Sequence, residues 1–302
     1  MIAVIHSIVP QFRNFRFGRI LLIALCLHLQ LPLHAGDELR FRFLGTGAAD
    51  WTGPAGDGSY RRTSSALLDG TVLIDFNACN ADMIPEGCHP EVVFYTHSHS
   101  DHYNAPAALK QGLKKVYVSE SWAERAAKDF SEASGMTGIP APEIIPLAVG
   151  DKVSEHGLTF TALPANHATS HLDEQALIYL VEKGDVRLLY ATDTGGIMAV
   201  AARLAGIDAH VPGKPLTALV MEATMGKEYD EDFRIYTHSS VGTVLRTVNV
   251  LLKTGRLSLP EGGCVYLTHL ARTLHGSQAK LDRTLPSPLK AAYDGLEVIC
   301  SQ

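Results

Sequence analysis

Short runs of strand-forming residues alternate with helical segments along residues 37–302, and this alternation most limits the folds open to the chain. Buried-strand patterns such as EVVFYT (91–96) and VRLLYAT (186–192) are joined to helical patterns such as GIMAVAARLAG (196–206). Alternating strands and helices are typical of α/β domains, in which helices cover the faces of a sheet. Because no linker or fixed-period repeat interrupts the pattern, we predict one α/β domain over residues 37–302.

The first 35 residues have a different character. Arg13, Arg16 and Arg19 precede an apolar run over residues 20–33, and Ala35 offers a small residue for cleavage. A membrane-spanning anchor, the alternative, needs roughly 20 apolar residues, more than this run contains. We therefore predict a signal peptide over residues 1–35, a periplasmic or secreted protein, and no stable membrane anchor after cleavage.

Net charge limits the partners of the mature chain. Cleavage removes three of the 26 Lys and Arg residues and none of the 32 Asp and Glu residues, which leaves 23 bases and a net charge near −9. Long nucleic acids bind mainly through Lys and Arg contacts with phosphates, so they are disfavoured as partners. We expect a small-molecule substrate instead.

Four cysteines remain after cleavage: Cys79, Cys88, Cys264 and Cys300. An oxidising compartment would allow three disulfide pairings among them. Cys79 and Cys88 are close enough in sequence for a local bridge, and buried free thiols are the equal alternative. The four lack the paired CxxC spacing of a structural zinc site.

A dense group of metal-ligand residues follows the strand EVVFYT. The motif HSHSDH places His97, His99, Asp101 and His102 within six positions. Imidazole and carboxylate groups bind zinc and similar divalent ions. Alternate residues of an extended segment point the same way, so His97 and His99 can hold one ion while Asp101 and His102 face a second. The motif strongly indicates a metal centre.

Further ligands are expected at other strand ends, since parallel strands end at a common edge of a sheet. His167, Asp193 and His269 each follow a strand pattern. A carboxylate such as Asp193 can join two cations about 3.5–4 Å apart. His171 and His275 lie further from their strand ends, so we rank them below His167 and His269 as candidate metal ligands.

These motifs resemble those of the metallo-β-lactamase superfamily, over about residues 39–299. The order of FLGTGAAD, HSHSDH, LPANH, ATDTGG, THSSVGTVL and YLTHL is most similar to that of its phosphodiesterase branch. That branch includes the tRNA 3′-processing endonuclease and the cyclic-phosphate phosphodiesterase of the carbon–phosphorus lyase pathway. The resemblance implies an α/β fold of the αββα sandwich type with a dinuclear site along one edge.

The resemblance also implies roles for individual residues. His97, His99 and His167 would hold one ion, Asp101, His102 and His269 the other, and Asp193 would join them. The ions would be zinc, with manganese or iron as alternatives. His238 would contact the phosphoryl group or protonate the departing oxygen, whereas its other interpretation is an exposed histidine near a helix start.

We predict a dinuclear metallohydrolase in which a metal-activated hydroxide attacks a small phosphodiester. Asp101 would also accept a hydrogen bond from the hydroxide. The substrates of both relatives are disfavoured, because only 25 residues separate His167 from Asp193, too few for a tRNA-binding arm, and the chain lacks a cysteine-rich zinc loop. The main alternative is hydrolysis of a lactone, thioester or β-lactam; an iron redox protein and a non-catalytic metal-binding protein are further hypotheses.

Overall fold

The computed structural model describes residues 38–208, 210 and 213–301, and the predicted signal peptide lies outside them. Fourteen strands are present in these residues. In chain order they are β1 Leu39–Gly45, β2 Ser65–Leu68, β3 Val72–Ile74, β4 Val92–Phe94, β5 Lys115–Ser119, β6 Glu143–Leu147, β7 Lys152–Glu155, β8 Leu158–Pro164, β9 Leu177–Lys183, β10 Val186–Ala191, β11 Ala218–Glu222, β12 Val265–Thr268, β13 Leu289–Ala291 and β14 Glu297–Cys300.

The strands form two mixed seven-stranded sheets. The first has the order β14-β1-β2-β3-β4-β5-β6 and the second the order β13-β12-β11-β10-β9-β8-β7. Strands β3 to β6 pair in parallel, as do β10 to β13, while the remaining neighbours pair antiparallel. The interior strand β4 is buried throughout, as expected for a parallel strand covered on both faces.

Within the described residues, five α-helices flank the sheets: α1 Ala105–Gln111, α2 Ala123–Thr137, α3 Ala199–Leu204, α4 Val241–Lys253 and α5 Gln278–Thr284. Short 3-10 helices occur at Ala78–Met83, Glu120–Trp122, Lys227–Tyr229 and Phe233–Tyr236. The Ser240 side chain caps α4 through the backbone N–H of Thr243, and left-handed Gly255 follows its end (φ 67°). Ser and Gly are typical residues at the start and just beyond the end of a helix.

The hydrophobic core has three layers. Helices α1 and α2 pack on the outer face of the first sheet, and helices α3, α4 and α5 pack on the outer face of the second. Between the sheets, the ring of Phe94 stacks against Tyr117 (4.3 Å between centroids) and Phe160 (3.9 Å). These contacts join β4 and β5 of one sheet to β8 of the other. The predicted αββα sandwich is thus confirmed.

The structure also contains elements that the sequence patterns did not indicate: β5, β6, β7, β13 and α5. Strand β6 includes Pro146 and β7 is an edge strand with exposed residues, so neither has a continuous apolar pattern. Strand β13 is only three residues long. Such elements are specified by their neighbours in the sheet more than by their own sequence.

Two further findings concern the cysteines and the membrane. Cys79, Cys88, Cys264 and Cys300 are free thiols in the described part of the chain, so the Cys79–Cys88 bridge is not formed there. None of the helices within residues 38–301 that the structure describes is long and apolar enough to cross a bilayer.

Candidate metal centre

Strand topology brings the predicted ligands to one edge of the sandwich. His97, His167, Asp193 and His269 lie one to three residues beyond the ends of β4, β8, β10 and β12. Strands β8 and β10 run in the same direction, since each is antiparallel to β9, and β10 to β12 are parallel. The ends of these strands therefore meet, as expected for a ligand site in a sheet with parallel strands.

Three histidines form the first part of the cluster. Nε2 of His97 lies 2.9 Å from Nδ1 of His99, and Nε2 of His167 lies 3.3 Å from the same atom. Ring nitrogens of neutral histidines repel at such distances unless a proton or a cation lies between them. One nitrogen from each of the three could bind a single ion.

Asp101, His102 and His269 form the second part. Oδ2 of Asp101 lies 3.3 Å from Nε2 of His102 and 3.4 Å from Nε2 of His269. The three groups are close enough to share one ion, and His102 is fully buried. The HSHSDH loop therefore contributes ligand atoms to both parts, as the spacing of its residues predicts.

Asp193 lies between the two parts. Its Oδ2 is 2.9 Å from Nε2 of His102, and its Oδ1 is 3.3 Å from His269 and 3.9 Å from His167. The structure thus brings together all seven residues proposed as ligands from the sequence. His171 lies in an exposed loop, and His275 donates from Nε2 to the carbonyl of Ala223; neither belongs to the cluster.

Hydrogen bonds from the surrounding residues orient the imidazoles. Nδ1 of His97 contacts Thr96 Oγ1, Nδ1 of His269 contacts Thr224 Oγ1, and Nδ1 of His167 donates to the Thr237 carbonyl, at 3.0, 2.8 and 3.2 Å. These bonds fix the ring tautomers, so each Nε2 presents a lone pair to the cluster. Metal-binding histidines in proteins are held by outer partners in this way.

His102 supplies the direct test of whether a cation fits. Its Nδ1 donates to Asp75 at 2.7 Å, whereas its buried Nε2 has no hydrogen-bond partner of suitable geometry among the described residues. Burial lowers the pKa of His102, but Asp193, Asp101 and Asp75 together raise this pKa well above 6.5. The protein therefore stabilises positive charge at this position, and the residues fit a divalent metal ion.

Backbone strain is concentrated at the same edge. Asp75, Asp193 and His269 have φ values of 54°, 47° and 53°, in the left-handed region that side chains other than glycine rarely adopt. Each residue follows a buried strand directly or nearly so. Strained backbone of this kind is frequent at functional sites, where it directs a side chain toward the ligand.

His238 lies against the cluster but has a different environment. Its Nδ1 donates to Glu222 at 3.0 Å, and its ring packs parallel to that of His269 with 5.6 Å between centroids. Burial lowers the pKa of His238, but the carboxylate of Glu222 outweighs this effect and raises the pKa to about 9. His238 is therefore protonated near neutral pH.

Sequence reasoning missed three acidic residues that support the cluster. Asp75 and Glu222 each follow or end a strand, so the strand-end rule that identified Asp193 applies to them as well. Glu174 had no such signal: it accepts hydrogen bonds from Ser98 N (2.7 Å) and Oγ (2.6 Å) and forms an ion pair with Arg125 (2.6 Å). Because Ser98 lies between His97 and His99, Glu174 fixes the HSHSDH loop.

The chain was compared with known proteins and structures. The profile of the Beta-lactamase superfamily domain matches residues 84–251, which is more than half of the chain. A search of curated proteins gives no match.

Solved structures of similar fold include YhfI from Bacillus subtilis, a metallo-β-lactamase fold protein (TM-score 0.63, 16% identity, 87% of this chain and 99% of that chain). A diphosphatase from the PhnP family has a TM-score of 0.59 at 18% identity, over 88% of this chain and 99% of that chain. The short form of human tRNase Z has a TM-score of 0.59 at 15% identity, over 86% and 98%. At these identities the similarity establishes the fold alone. Together with the profile match, it shows that the chain belongs to the β-lactamase superfamily, a family of metal-dependent hydrolases.

Proposed function

We propose that the protein is a dinuclear metal-dependent hydrolase that cleaves small phosphodiesters. His97, His99 and His167 would hold one divalent ion, Asp101, His102 and His269 a second, and Asp193 would contact both. The mixture of imidazole and carboxylate ligands suits zinc, with manganese or iron as alternatives. When bound, such ions lower the pKa of water and neutralise charge on phosphoryl oxygens.

The position of His238 is the main observation in support of this proposal. The seven proposed ligands supply two ion sites without it, and its Nδ1 is occupied by Glu222. Its side chain is 19% exposed, and Nε2 has no hydrogen-bond partner among the described residues. Protonated His238 can therefore donate a proton from Nε2 to a departing oxygen, which assists cleavage of a phosphodiester whose leaving group is an alkoxide.

Other residues of the chain would prepare the site for this reaction. Glu222 keeps the proton on His238 and fixes its ring, with further bonds from Thr194 N (2.7 Å) and Thr224 N (3.0 Å). Asp101 is the least buried of the three carboxylates closest to the cluster, and it can accept a hydrogen bond from an attacking water. Because the imidazoles are buried, few water molecules can reach the site and compete with the substrate.

The neighbours and the charge of the chain support a small phosphorus-containing substrate. A diphosphatase and a tRNase share the fold, and a mature net charge near −9 disfavours long RNA. We place the action of the enzyme in the periplasm or outside the cell, because residues 1–35 have the pattern of a cleaved signal peptide.

The test uses purified protein whose metal content has been measured. Bis(4-nitrophenyl) phosphate, a lactone, a thioester and a cephalosporin are offered side by side, with Asp193→Ala as the control for contaminating hydrolases. We expect turnover of the phosphodiester, loss on chelation and recovery with zinc. Turnover of the carbonyl substrates alone would contradict the proposal and favour the alternative hydrolase class.

A further inference from the structure

A cavity of about 220 Å³ lies beside the metal cluster, and no part of the proposed reaction uses it. Leu270 and Ala271, the two residues after the ligand His269, form part of its wall. Thr46 and Arg61, at the end of β1 and shortly before β2, connect the cavity to the same edge of the first sheet through a 2.6 Å hydrogen bond. The cavity and the metal cluster therefore lie side by side.

Aromatic side chains form one part of the wall. Trp51 donates from Nε1 to the Leu270 carbonyl at 2.7 Å, and its ring meets that of Tyr60 edge to face at 6.3 Å. Tyr60 is 44% exposed and Tyr293, also in the wall, is 47% exposed. Partly exposed aromatic rings held in a cavity offer surfaces on which a planar group can stack.

Two arginines form another part of the cavity wall, although the chain as a whole has a negative net charge. Buried Arg61 is anchored by Thr46, the Ala292 carbonyl and Gln278. Half-buried Arg272 differs, because its guanidinium has no hydrogen bond or ion pair with any residue that the structure describes. An unpaired guanidinium in a cavity is suited to bind an anion, above all phosphate or carboxylate.

The two carboxylates of the wall have partners other than Arg272. Asp57 accepts hydrogen bonds from the backbone and side chain of Ser59, and Asp294 accepts them from Thr46 Oγ1 (2.7 Å) and Arg62 N (2.6 Å). His275 contributes an acceptor, since its Nε2 donates to Ala223 and its Nδ1 has no described partner. Among the residues that the structure describes, the cavity thus combines stacking surfaces, the unpaired guanidinium of Arg272, a neutral acceptor and two carboxylates with other partners.

We propose that this cavity binds a nucleoside phosphate group, with the base against the aromatic side chains and the phosphate on Arg272. The cavity is smaller than the roughly 300–1,000 Å³ of pockets that enclose drug-sized ligands, so it would hold one end of a longer molecule. This inference rests on the proposed function: the substrate would be a small phosphodiester with a nucleotide at its non-reacting end.

Calorimetric titration of the zinc-loaded protein with 5′-AMP, adenosine and inorganic phosphate tests the proposal. We expect AMP to bind more tightly than either part alone. Arg272→Gln should weaken AMP binding about tenfold, because hydrogen bonds to charged groups contribute most to binding. Tyr60→Leu should weaken it about fivefold through lost stacking. Arg283→Gln removes the same charge from the exposed face of α5 and should change nothing.

Equal AMP binding by Arg272→Gln and Arg283→Gln would overturn the proposal, as would adenosine or phosphate binding as tightly as AMP. If Arg272→Gln fails to fold, the AMP affinity of Tyr60→Leu still tests the proposal. AMP binding through Arg272 in a protein that cleaves no phosphodiester would refute only the proposed function. Cleavage of bis(4-nitrophenyl) phosphate without Arg272-dependent AMP binding would refute only the cavity's role.

Discussion

The carboxylate of Asp75 accepts a hydrogen bond from Nδ1 of His102 at 2.7 Å, and both side chains are fully buried. The same carboxylate accepts hydrogen bonds from the backbone N–H (2.8 Å) and the hydroxyl of Thr96, whose hydroxyl contacts His97. One acidic side chain therefore orients proposed ligands of both ions. Burial raises the pKa of Asp75, and the charge of His102 opposes this effect.

Asp75→Asn should weaken zinc binding about 10–100-fold, as expected when the outer partner of a metal ligand is lost. The amide cannot provide the negative charge that favours a cation beside His102. Competition with a chromophoric chelator measures the dissociation constant. Asp185→Asn, which affects only an exposed ion pair with Lys214, is the matched control. Equal zinc affinity in the two variants would show that Asp75 does not support the metal centre.

His238→Gln should reduce hydrolysis of a phosphodiester with an alcohol leaving group about 10²–10⁴-fold, the usual contribution of a general acid. Its metal content should stay unchanged, because Nδ1 of His238 is held by Glu222 outside the proposed ligand set. Steady-state rates and metal analysis of the same sample test both statements. His171→Gln in the exposed loop serves as the control. Loss of one ion would instead identify His238 as a ligand.

Glu174→Gln should lower the free energy of unfolding by about 1–3 kcal/mol, the cost of weakening buried hydrogen bonds to a charged group. The amide cannot accept from Ser98 and pair with Arg125 as the carboxylate does. Urea denaturation gives the value. Glu132→Gln removes an exposed carboxylate 3.9 Å from Lys128 and should change stability by less than about 0.5 kcal/mol. A similar small change for Glu174→Gln would argue against a role of Glu174 in fixing the HSHSDH loop.

Phe94→Ala should destabilise the fold by about 3–5 kcal/mol, because it removes the ring that connects the two sheets and leaves a cavity. Phe94 is fully buried between Tyr117 and Phe160. Phe233→Ala, at a side chain that is 73% exposed, provides the comparison and should be nearly neutral. Thermal and chemical denaturation of both variants check the difference, and comparable losses would contradict the proposed core.

Cys300 should resist alkylation by iodoacetamide in the native protein at pH 8. Burial raises the pKa of its thiol to about 12, so only about one molecule in 10⁴ carries the reactive thiolate at that pH. Cys79, Cys88 and Cys264 are partly exposed and should react first. Peptide mass mapping before and after denaturation distinguishes the sites. Early modification of Cys300 would mean that β14 opens readily.

The metal-ligand residues were the most predictable part of the molecule. The HSHSDH spacing depends on local geometry. Alternate residues of an extended segment point to the same side, so His97 and His99 can face one ion regardless of the residues around them. His167, Asp193 and His269 could be proposed because each follows a strand pattern. Glu222 ends such a strand too, yet its bond to His238 depends on a loop that no pattern describes.

Long-range pairing accounts for what sequence reasoning missed. Strand β13 has three residues and exists because β12 pairs with it in parallel. Glu174 is an ordinary loop acid until the fold places it beside Ser98 and Arg125, 76 and 49 residues away in the chain. The cavity with Arg272 likewise draws its wall from segments near residues 51–61, 270–278 and 293–294.

By itself, the sequence determined the α/β class, the family resemblance and the choice of seven candidate ligands, because strand periodicity and ligand spacing are local properties. Only the tertiary structure decided that those ligands meet, which acids hold them, and that a cavity lined by aromatic side chains and Arg272 lies beside them. Hydrogen bonds and burial between distant segments fix these features, and their energies depend on distances that a linear pattern does not contain.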